Sequence, residues 1–398
     1  MTKARNIAEL ANDISVDNNR DVTLSNLRSD QPMMFRNKII NGDMRIDQRN
    51  AGAISNPTGG TNTYTIDRWQ FSFYNPGSRV TNVQQVSDDV PKGFSHSMKV
   101  SCGNNSGTQD ANEQLILQQL IEGHNVGDFS WYDNSPSVLT LSFYVKSNLT
   151  GSFPLIIKLS SNNSSQNSVG TRTLPLKYEI NTANTWERKS VTFTLDEYSG
   201  TRIISNTFAI AVAFYLSAGS SRRGVAYNVW RGNANQATSG LDNYTFLDST
   251  SNEFFITGVQ LEVGTVPTPF EHRPYGTELA LCQRYFERIN GTDTNIGTGS
   301  NYNNSDFSLS VKLSVEKRTD SIAVSTSADG GTLFTAYGTN ASGSTYPWET
   351  SSPTINKRGN RHSVQYAHNI TGSGAGGPGT AVMTYLRTNQ YIDINAEL

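Results

Sequence analysis

In LTLSFYV (Leu139–Val145), apolar and polar residues alternate at every position. Alternation with a period of two puts the apolar side chains on one face of a strand and the polar side chains on the other. The same alternation occurs in VTFTL (Val191–Leu195) and in FITGVQL (Phe255–Leu261). The run FAIAVAFYL (Phe208–Leu216) is apolar throughout, which is typical of a strand buried on both faces. Together these stretches predict an all-β fold built around a β-sandwich.

The composition of the chain also favours strands and loops over helices. Only 35% of the 398 residues are hydrophobic and 17% are charged, so uncharged polar residues and glycine supply a large share. Asn, Ser, Thr and Gly are poor residues for helix interiors, because they lose backbone entropy or compete for backbone hydrogen bonds. Disorder is not expected, since aromatic residues reach 10% and the net charge is only −2.

Charge and run length exclude several classes of protein. Lysine and arginine total 32 against 34 acidic residues, which leaves no basic footprint for nucleic acid. The longest apolar run, Phe208–Leu216, is far shorter than the roughly 20 residues that span a bilayer, so no membrane insertion is expected. Cys102 and Cys282 are too few for a disulfide framework. They are predicted to be buried thiols in a protein that folds in the cytoplasm, where thiols stay reduced.

Shifts in pattern divide the chain into four segments. They are an N-terminal attachment or oligomerisation segment (1–32), a jelly-roll β-sandwich (33–275), a linking helix (276–290) and a smaller C-terminal β-sandwich domain (291–398). About 240 residues is large for one sandwich, and long loops account for the excess.

The N-terminal segment is too short and too polar to fold alone. Ile7, Leu10 and Ile14 follow helical spacing, whereas Val22 and Leu24 alternate as in a strand. Two interpretations remain open at this stage. The segment is either a frayed terminus or a peptide that becomes ordered against partner chains.

One helix and a second set of strands are predicted after the sandwich. Thr277 is a plausible N-cap, and an apolar stripe follows it at Leu281, Cys282, Tyr285, Phe286 and Ile289. Beyond the helix, FSLSVKLSV (Phe307–Val315) alternates over its whole length. Further strand-like runs are predicted at 321–327, 332–338, 361–370 and 380–395.

No catalytic constellation is visible. The chain lacks GxSxG, HExxH, P-loop and dinucleotide-binding motifs, so neither an enzyme nor a cofactor or metal is expected. Glycoside hydrolysis needs two carboxylates about 5–9 Å apart. The nearest candidates, Asp196 with Glu197 and Glu253 with Glu262, do not show that spacing on a strand. A polysaccharide-cleaving enzyme is therefore the weaker alternative.

Sugar binding without catalysis needs exposed aromatic rings that stack on pyranoses, with polar side chains that bind hydroxyl groups. Two candidates, Trp131 and Tyr132, lie in one polar loop. The others lie in the C-terminal domain: Tyr346 and Trp348, predicted to lie in a second loop, with Arg358 and Arg361. Trp69, Trp186 and Trp230 lie in strand-like contexts and are predicted to belong to the core.

Several segments resemble those of tailed-phage virion appendages, the tail fibre-like proteins, that carry a carbohydrate-binding-module-like jelly roll. The segments are NKIINGDMRIDQR (Asn37–Arg49), YTIDRWQFS (Tyr64–Ser72), LSFYVKSNLTGSF (Leu141–Phe153), NTWERKSVTFTLDE (Asn184–Glu197), FITGVQLEVG (Phe255–Gly264) and VPTPFEHRPYGTELALCQRYFE (Val266–Glu287). The resemblance extends over roughly residues 37 to 290 and is looser in the last hundred residues. The matching segments are scaffold strands, so no sugar-binding residue is carried over.

The resemblance implies a non-enzymatic virion protein, assembled in the host cytoplasm. A tail fibre or tail-tip receptor-binding protein that contacts a host surface glycan is the first expectation, and a capsid decoration or head fibre protein is the alternative. A homotrimer is also expected, because three copies can bury the apolar residues of segment 1–32 along a shared axis. That segment would bind other virion proteins. Recognition is then expected at the distal end, in residues 291–398, with the jelly roll as the other possibility.

Overall fold

The computed structural model describes residues 14–16, 22–24, 35–57, 62–129, 137–160, 172–196, 205–232, 237–238, 246–291, 294–301, 306–327, 334–339, 345–350, 358–369, 381–386 and 390–397. These residues form antiparallel sheets almost throughout, so the predicted all-β class is confirmed. Near the N-terminus, β1 (Ile14–Val16) and β2 (Val22–Leu24) pair as an antiparallel hairpin in a sheet of their own. Ile14 therefore lies in a strand, although its spacing from Ile7 and Leu10 predicted a helix.

The described part of the sandwich contains fourteen strands, β3 to β16. They are β3 (Asn62–Tyr64), β4 (Gln70–Tyr74), β5 (Val80–Val86), β6 (Ser97–Asn104), β7 (Gln114–Glu122), β8 (Val138–Ser147), β9 (Gly151–Leu159), β10 (Arg172–Ile180), β11 (Glu187–Thr194), β12 (Phe208–Ala218), β13 (Arg223–Val225), β14 (Arg231–Gly232), β15 (Ala237–Thr238) and β16 (Glu253–Val263). Five of them form the front sheet, in the order β11-β8-β16-β6-β5. Seven form the back sheet, in the order β14-β10-β9-β12-β7-β4-β3, and the other two, β13 and β15, pair with each other in parallel.

The core of the sandwich lies between the two sheets, as the alternation in β8 predicts. Leu139, Leu141, Phe143 and Val145 are fully buried, whereas the intervening side chains face away from the core. The ring of Phe143 meets the ring of Phe214, from the back sheet, edge to face with a centroid distance of 5.0 Å. Each such aromatic pair adds about 0.5–1.5 kcal/mol to the stabilisation from buried area.

The outer face of the back sheet is also buried around β7, β9 and β12. Ile116, Ile156 and Tyr215 are at most 2% exposed there, and every residue of β12 is buried, as the apolar run Phe208–Leu216 predicts. Lys158 lies on the same face and is 1% exposed. Its Nζ donates a hydrogen bond to Gln118 Oε1 at 3.2 Å, and desolvation by burial lowers the pKa of Lys158 to about 8.

The linking helix is shorter than predicted. Helix α1 (Tyr275–Gln283) begins after Pro274, so Thr277 is inside the helix rather than at its N-cap. The second half of the predicted helix is the strand β17 (Phe286–Asn290). Its backbone groups pair with the last strand of the chain, a long-range contact that local apolar spacing does not reveal. Cys282 is buried, as predicted.

Nine further strands follow β17 in the described part of the chain. They are β18 (Thr294–Asn301), β19 (Asp306–Lys312), β20 (Ala323–Thr326), β21 (Phe334–Thr339), β22 (Thr345–Thr350), β23 (Arg358–Asn360), β24 (Ser363–Asn369), β25 (Ala381–Leu386) and β26 (Tyr391–Asn395). Strands β17, β26 and β20 form one sheet, and the other seven form the distal sheet in the order β22-β21-β25-β18-β19-β24-β23. The run 380–395, predicted as one strand, is two strands that belong to different sheets.

The end of the chain returns to the jelly roll. The Glu397 carboxylate pairs with the guanidinium of Arg68 and, at 3.1 Å, with that of Arg49. Arg68 is 1% exposed, and its guanidinium carbon lies 3.6 Å from the centroid of the Tyr285 ring. The Tyr285 hydroxyl in turn donates to Glu122 at the end of β7. This buried network, the junction network, joins the start of the sandwich, the segment after α1 and the C-terminus. The four-part division of the chain remains a prediction.

No helix in the described part of the chain is long and apolar enough to cross a membrane.

Candidate functional site

A polar cleft of about 590 Å³ opens on the outer face of the front sheet. Gln84, Lys99 and Phe255 line its floor, and they belong to a row of residues that pair across neighbouring strands. Gln84 on β5 is opposite Lys99 on β6, Lys99 is opposite Phe255 on β16, and Phe255 is opposite Lys146 on β8. These side chains face outward because their neighbours along each strand, such as Val100 and Phe254, point into the core.

The Phe255 ring is the centre of this row. The ammonium of Lys146 lies 4.2 Å from the ring centroid and that of Lys99 lies 5.4 Å from it. Trp186, which immediately precedes β11, meets the same ring at a centroid distance of 6.2 Å. A cation over an aromatic face is attracted by the ring quadrupole. The two lysines and the tryptophan cover Phe255 closely enough to leave only 5% of it exposed.

Carboxylates fix the lysines and the tryptophan in place. Asp89, from the loop between β5 and β6, pairs with the ammonium of Lys146 and accepts a hydrogen bond from Trp186 Nε1 at 3.0 Å. Glu253 pairs with Lys99 at 2.6 Å, where both side chains are partly exposed. The cleft therefore presents hydrogen-bond donors and acceptors whose positions are fixed by these contacts, next to a largely covered aromatic ring. Such a set can bind the hydroxyl groups of a sugar.

A second aromatic cluster covers the outer face of the front sheet around Tyr144 and Gly258. Phe94 lies 5.2 Å from both Tyr144 and Phe270, measured between ring centroids. Gly258 on β16 has a left-handed φ of 62°, and a Cβ placed there would lie 2.6 Å from Phe94 Cζ. The glycine thus allows the loop that carries Phe94 to pack directly on the sheet.

We expect Gly258→Ala to reduce the free energy of unfolding by about 1–3 kcal/mol, because it adds left-handed strain and a clash with Phe94. Chemical denaturation followed by tryptophan fluorescence measures the loss. Gly224→Ala is the matched control, since Gly224 has a φ of 108° but nothing within 4 Å of the added Cβ. Equal losses in the two variants would contradict the packing role of Gly258.

Of the six predicted glycan-binding residues, the structure describes four and does not bring those four together. Trp131 and Tyr132 lie outside the described residues. Tyr346 and Trp348 lie in β22 rather than in a loop, because Thr345–Thr350 pairs with β21. Arg358 lies in β23, at the opposite edge of the distal sheet from β22.

Arg361 forms ion pairs with Glu316 at 3.2 Å and with Asp320 at 3.3 Å, on a surface where its side chain is 42% exposed. The binding role of these six residues remains a prediction.

The tryptophans predicted to be in the core differ in burial. Trp69 is fully buried, and its Nε1 donates to Asn41 O at 3.0 Å. Trp230 is half-buried against the core. Trp186 is half-buried and packs against Phe255 on the outer side of the front sheet, so its assignment to the core was wrong. The strand-like pattern around Trp186 predicted β11 correctly, but Trp186 itself precedes that strand.

The carboxylates considered for hydrolysis have structural partners. Glu262 is 2% exposed and accepts hydrogen bonds from the backbone nitrogen and the hydroxyl of Thr268. Asp196 pairs with Arg172. Glu197 lies outside the described residues. Among the residues that the structure does describe, no group of three or more His, Cys, Asp or Glu side chains is placed to hold a metal ion.

Part of the chain is similar in structure to carbohydrate-binding modules and to a phage tailspike. The family 11 carbohydrate-binding module of a cellulosomal cellulase of Clostridium thermocellum is 14% identical with a TM-score of 0.28, and the match covers 54% of this chain and 98% of that one. The enzymatically active domain of tailspike protein 4 of bacteriophage CBA120 is 12% identical with a TM-score of 0.28, over 57% of this chain and 22% of that one.

A xylanase fragment of Clostridium thermocellum, crystallised with xylohexaose, is 12% identical with a TM-score of 0.27. The match covers 52% of this chain and 28% of the xylanase chain. The chain thus spans only about a quarter of the length of the tailspike and xylanase chains. No family model matches the chain, and no curated protein matches it in sequence.

Proposed function

We propose that the protein binds a carbohydrate, and that the cleft on the front sheet holds it. The observation that supports this most strongly is the in-register row Gln84, Lys99, Phe255 and Lys146, whose polar groups are fixed before any ligand arrives. Side chains that are already ordered lose little entropy on binding, which favours affinity for a flexible, hydroxyl-rich ligand. The charges in the row are balanced by Asp89 and Glu253, which suits a neutral saccharide.

The double variant Lys99→Ser/Glu253→Ser tests the cleft. It removes both members of one ion pair and so leaves no unpaired charge. We expect about tenfold weaker binding of a polysaccharide that the wild type binds. Two hydrogen-bonding groups worth about 1 kcal/mol each are lost or weakened. Affinity electrophoresis in gels that contain a soluble polysaccharide measures the change.

The matched control is Arg361→Ser/Glu316→Ser, which removes a similarly exposed ion pair in the C-terminal part of the chain. If the control variant loses binding and the cleft variant does not, the site belongs to the distal region and the cleft proposal is wrong.

We further propose that the protein is a virion structural protein of a tailed phage, most simply a tail fibre or tail-tip receptor-binding protein, assembled in the host cytoplasm. The sequence resemblance and a sugar-binding cleft on a β-sandwich support this role. A capsid decoration or head fibre protein is the alternative. Immunogold labelling of virions separates the two, since label over the head would contradict the tail assignment.

A homotrimer remains part of this proposal. The hairpin of β1 and β2 has only three residues in each strand, and an isolated two-stranded hairpin is marginally stable at best in water. Packing of three hairpins would bury Ile14, Val16, Val22 and Leu24. Mass measurement of the full chain in solution tests this, and a monomer at micromolar concentration would contradict it.

We propose a binding role rather than catalysis. In the cleft, Asp89 and Glu253 are each engaged by a lysine, an arrangement that suits ligand binding better than the paired acid and nucleophile of a glycosidase. Incubation with a bound polysaccharide checks the proposal, because release of reducing ends would show that the protein is an enzyme.

A further inference from the structure

The back sheet carries an exposed aromatic ring of its own. Tyr227, in the loop between β13 and β14, is 56% exposed. By contrast, Phe255 in the cleft is 5% exposed. An exposed ring is the element that a stacking contact with a pyranose requires, and Tyr227 provides it more fully than the cleft does.

The loop that carries Tyr227 is anchored on both sides of the ring. Asn228 adopts a left-handed φ of 58°, and its backbone nitrogen donates to Pro175 O on β10 at 2.7 Å. Trp230 packs against the core and donates from Nε1 to Thr194 O at 2.9 Å. These contacts hold the backbone on either side of Tyr227, so the ring is presented from a fixed position.

Polar side chains stand beside the ring. The Lys177 ammonium lies 5.6 Å from the centroid of the Tyr227 ring and 3.3 Å from Glu179 Oε1. Both side chains point away from the core, because Leu176 and Tyr178 alternate with them and are buried. The side chains of Lys177 and Glu179 are 39% and 46% exposed. A donor, an acceptor and an exposed ring therefore occupy one patch on the outer side of β10.

We propose that Tyr227, Lys177 and Glu179 form a second carbohydrate contact, in which the ring stacks on a pyranose and the charged pair binds its hydroxyl groups. This inference rests on the proposed function in one respect, the class of ligand, which is a carbohydrate. The cleft and the Tyr227 patch lie on the outer faces of opposite sheets, so they face away from each other. One molecule would then engage two segments of a glycan layer at once, and avidity would exceed the affinity of either site.

The test uses the full chain in native gels that contain dextran, mixed-linkage β-glucan, xylan or galactan. We expect Tyr227→Ala to weaken retardation by about five- to tenfold in the gel that retards the wild type. Tyr275→Ala is the matched control, because Tyr275 is 57% exposed but lies at the start of helix α1. Circular dichroism and thermal unfolding show that each variant is folded.

The Lys99→Ser/Glu253→Ser background distinguishes the two sites. We expect residual retardation in this background, and we expect Tyr227→Ala to abolish it. If the cleft variant alone abolishes retardation and Tyr227→Ala has no effect, the second contact is overturned and the proposed function stays intact. If only Tyr227→Ala reduces retardation, the second contact is supported and the cleft is contradicted as a binding site.

Failure of all four gels to retard the wild type would overturn both proposals. A change in solution mass with unchanged retardation would assign Tyr227 to a protein interface and would also overturn the second contact.

Discussion

Glu397→Ala is expected to reduce the free energy of unfolding by about 3–5 kcal/mol, which is the usual result of removing one partner from a buried ion pair. The loss is large because Arg68 is 1% exposed and would keep its charge without the carboxylate that it pairs with. Arg49, whose guanidinium carbon lies 3.5 Å from the centroid of the Phe286 ring, would lose the same partner. Guanidinium-induced unfolding followed by tryptophan fluorescence measures the change.

Two further variants show whether the unpaired charge is the cause. Glu316→Ala removes a carboxylate whose side chain is 48% exposed, and we expect a loss below about 1 kcal/mol. Arg68→Met/Glu397→Met removes both charges, and we expect it to recover most of the stability that Glu397→Ala loses. A loss of less than about 1 kcal/mol for Glu397→Ala would contradict the structural role of the junction network.

Lys158→Met is expected to stabilise the protein at pH 7 by about 2–3 kcal/mol. Burial lowers the pKa of Lys158 from 10.5 to about 8, so at pH 7 the folded state holds a charged ammonium away from water. Each unit of pKa difference corresponds to about 1.4 kcal/mol. Methionine fills a similar volume without this cost, although Gln118 loses the hydrogen bond from Lys158.

The pH dependence of this variant has a definite sign. Between pH 8 and 10.5 the unfolded state binds a proton at Lys158 that the folded state does not, so the stability of the wild type rises with pH in this window. The advantage of Lys158→Met should therefore shrink as the pH rises towards 10.5. Unfolding of both proteins at several pH values tests this. Lys177→Met, at an exposed position, is the control, and a constant difference across the window would contradict the assignment.

The local patterns predicted the sandwich correctly except in β16. There the alternation over Phe255–Leu261 placed Phe255 on the core face, whereas a register shift after Thr257 leaves Phe254 in the core and turns Phe255 outward. The alternation in Leu139–Val145 identified the residues that face the core, and the apolar run Phe208–Leu216 identified a strand buried on both faces. Both features are encoded in neighbouring residues, because side-chain direction along a strand repeats every second position. The helix prediction was wrong beyond Gln283, because the structure there depends on residues far away in the chain. Phe286–Asn290 is a strand only through its pairing with Tyr391–Asn395.

The cleft could not be predicted from the sequence. Lys99, Lys146 and Phe255 are far apart along the chain and become neighbours only through the register of three strands. Aromatic residues in polar stretches are the sequence signal for a sugar-binding loop. This signal predicted Tyr346 and Trp348, but both residues lie in a strand. In the sequence, a lysine on the outward face of a strand cannot be distinguished from an ordinary surface residue. Its cross-strand partners have to be known first.

Carbohydrate binding by the front sheet is tested most directly by a crystal structure of the full chain with an oligosaccharide from the polysaccharide that retards it in gels. We expect a sugar within hydrogen-bond distance of Lys99 and Glu253, in the cleft beside Phe255. Sugar density confined to the distal sheet, at β22 where Tyr346 and Trp348 lie, with an empty cleft, would contradict it.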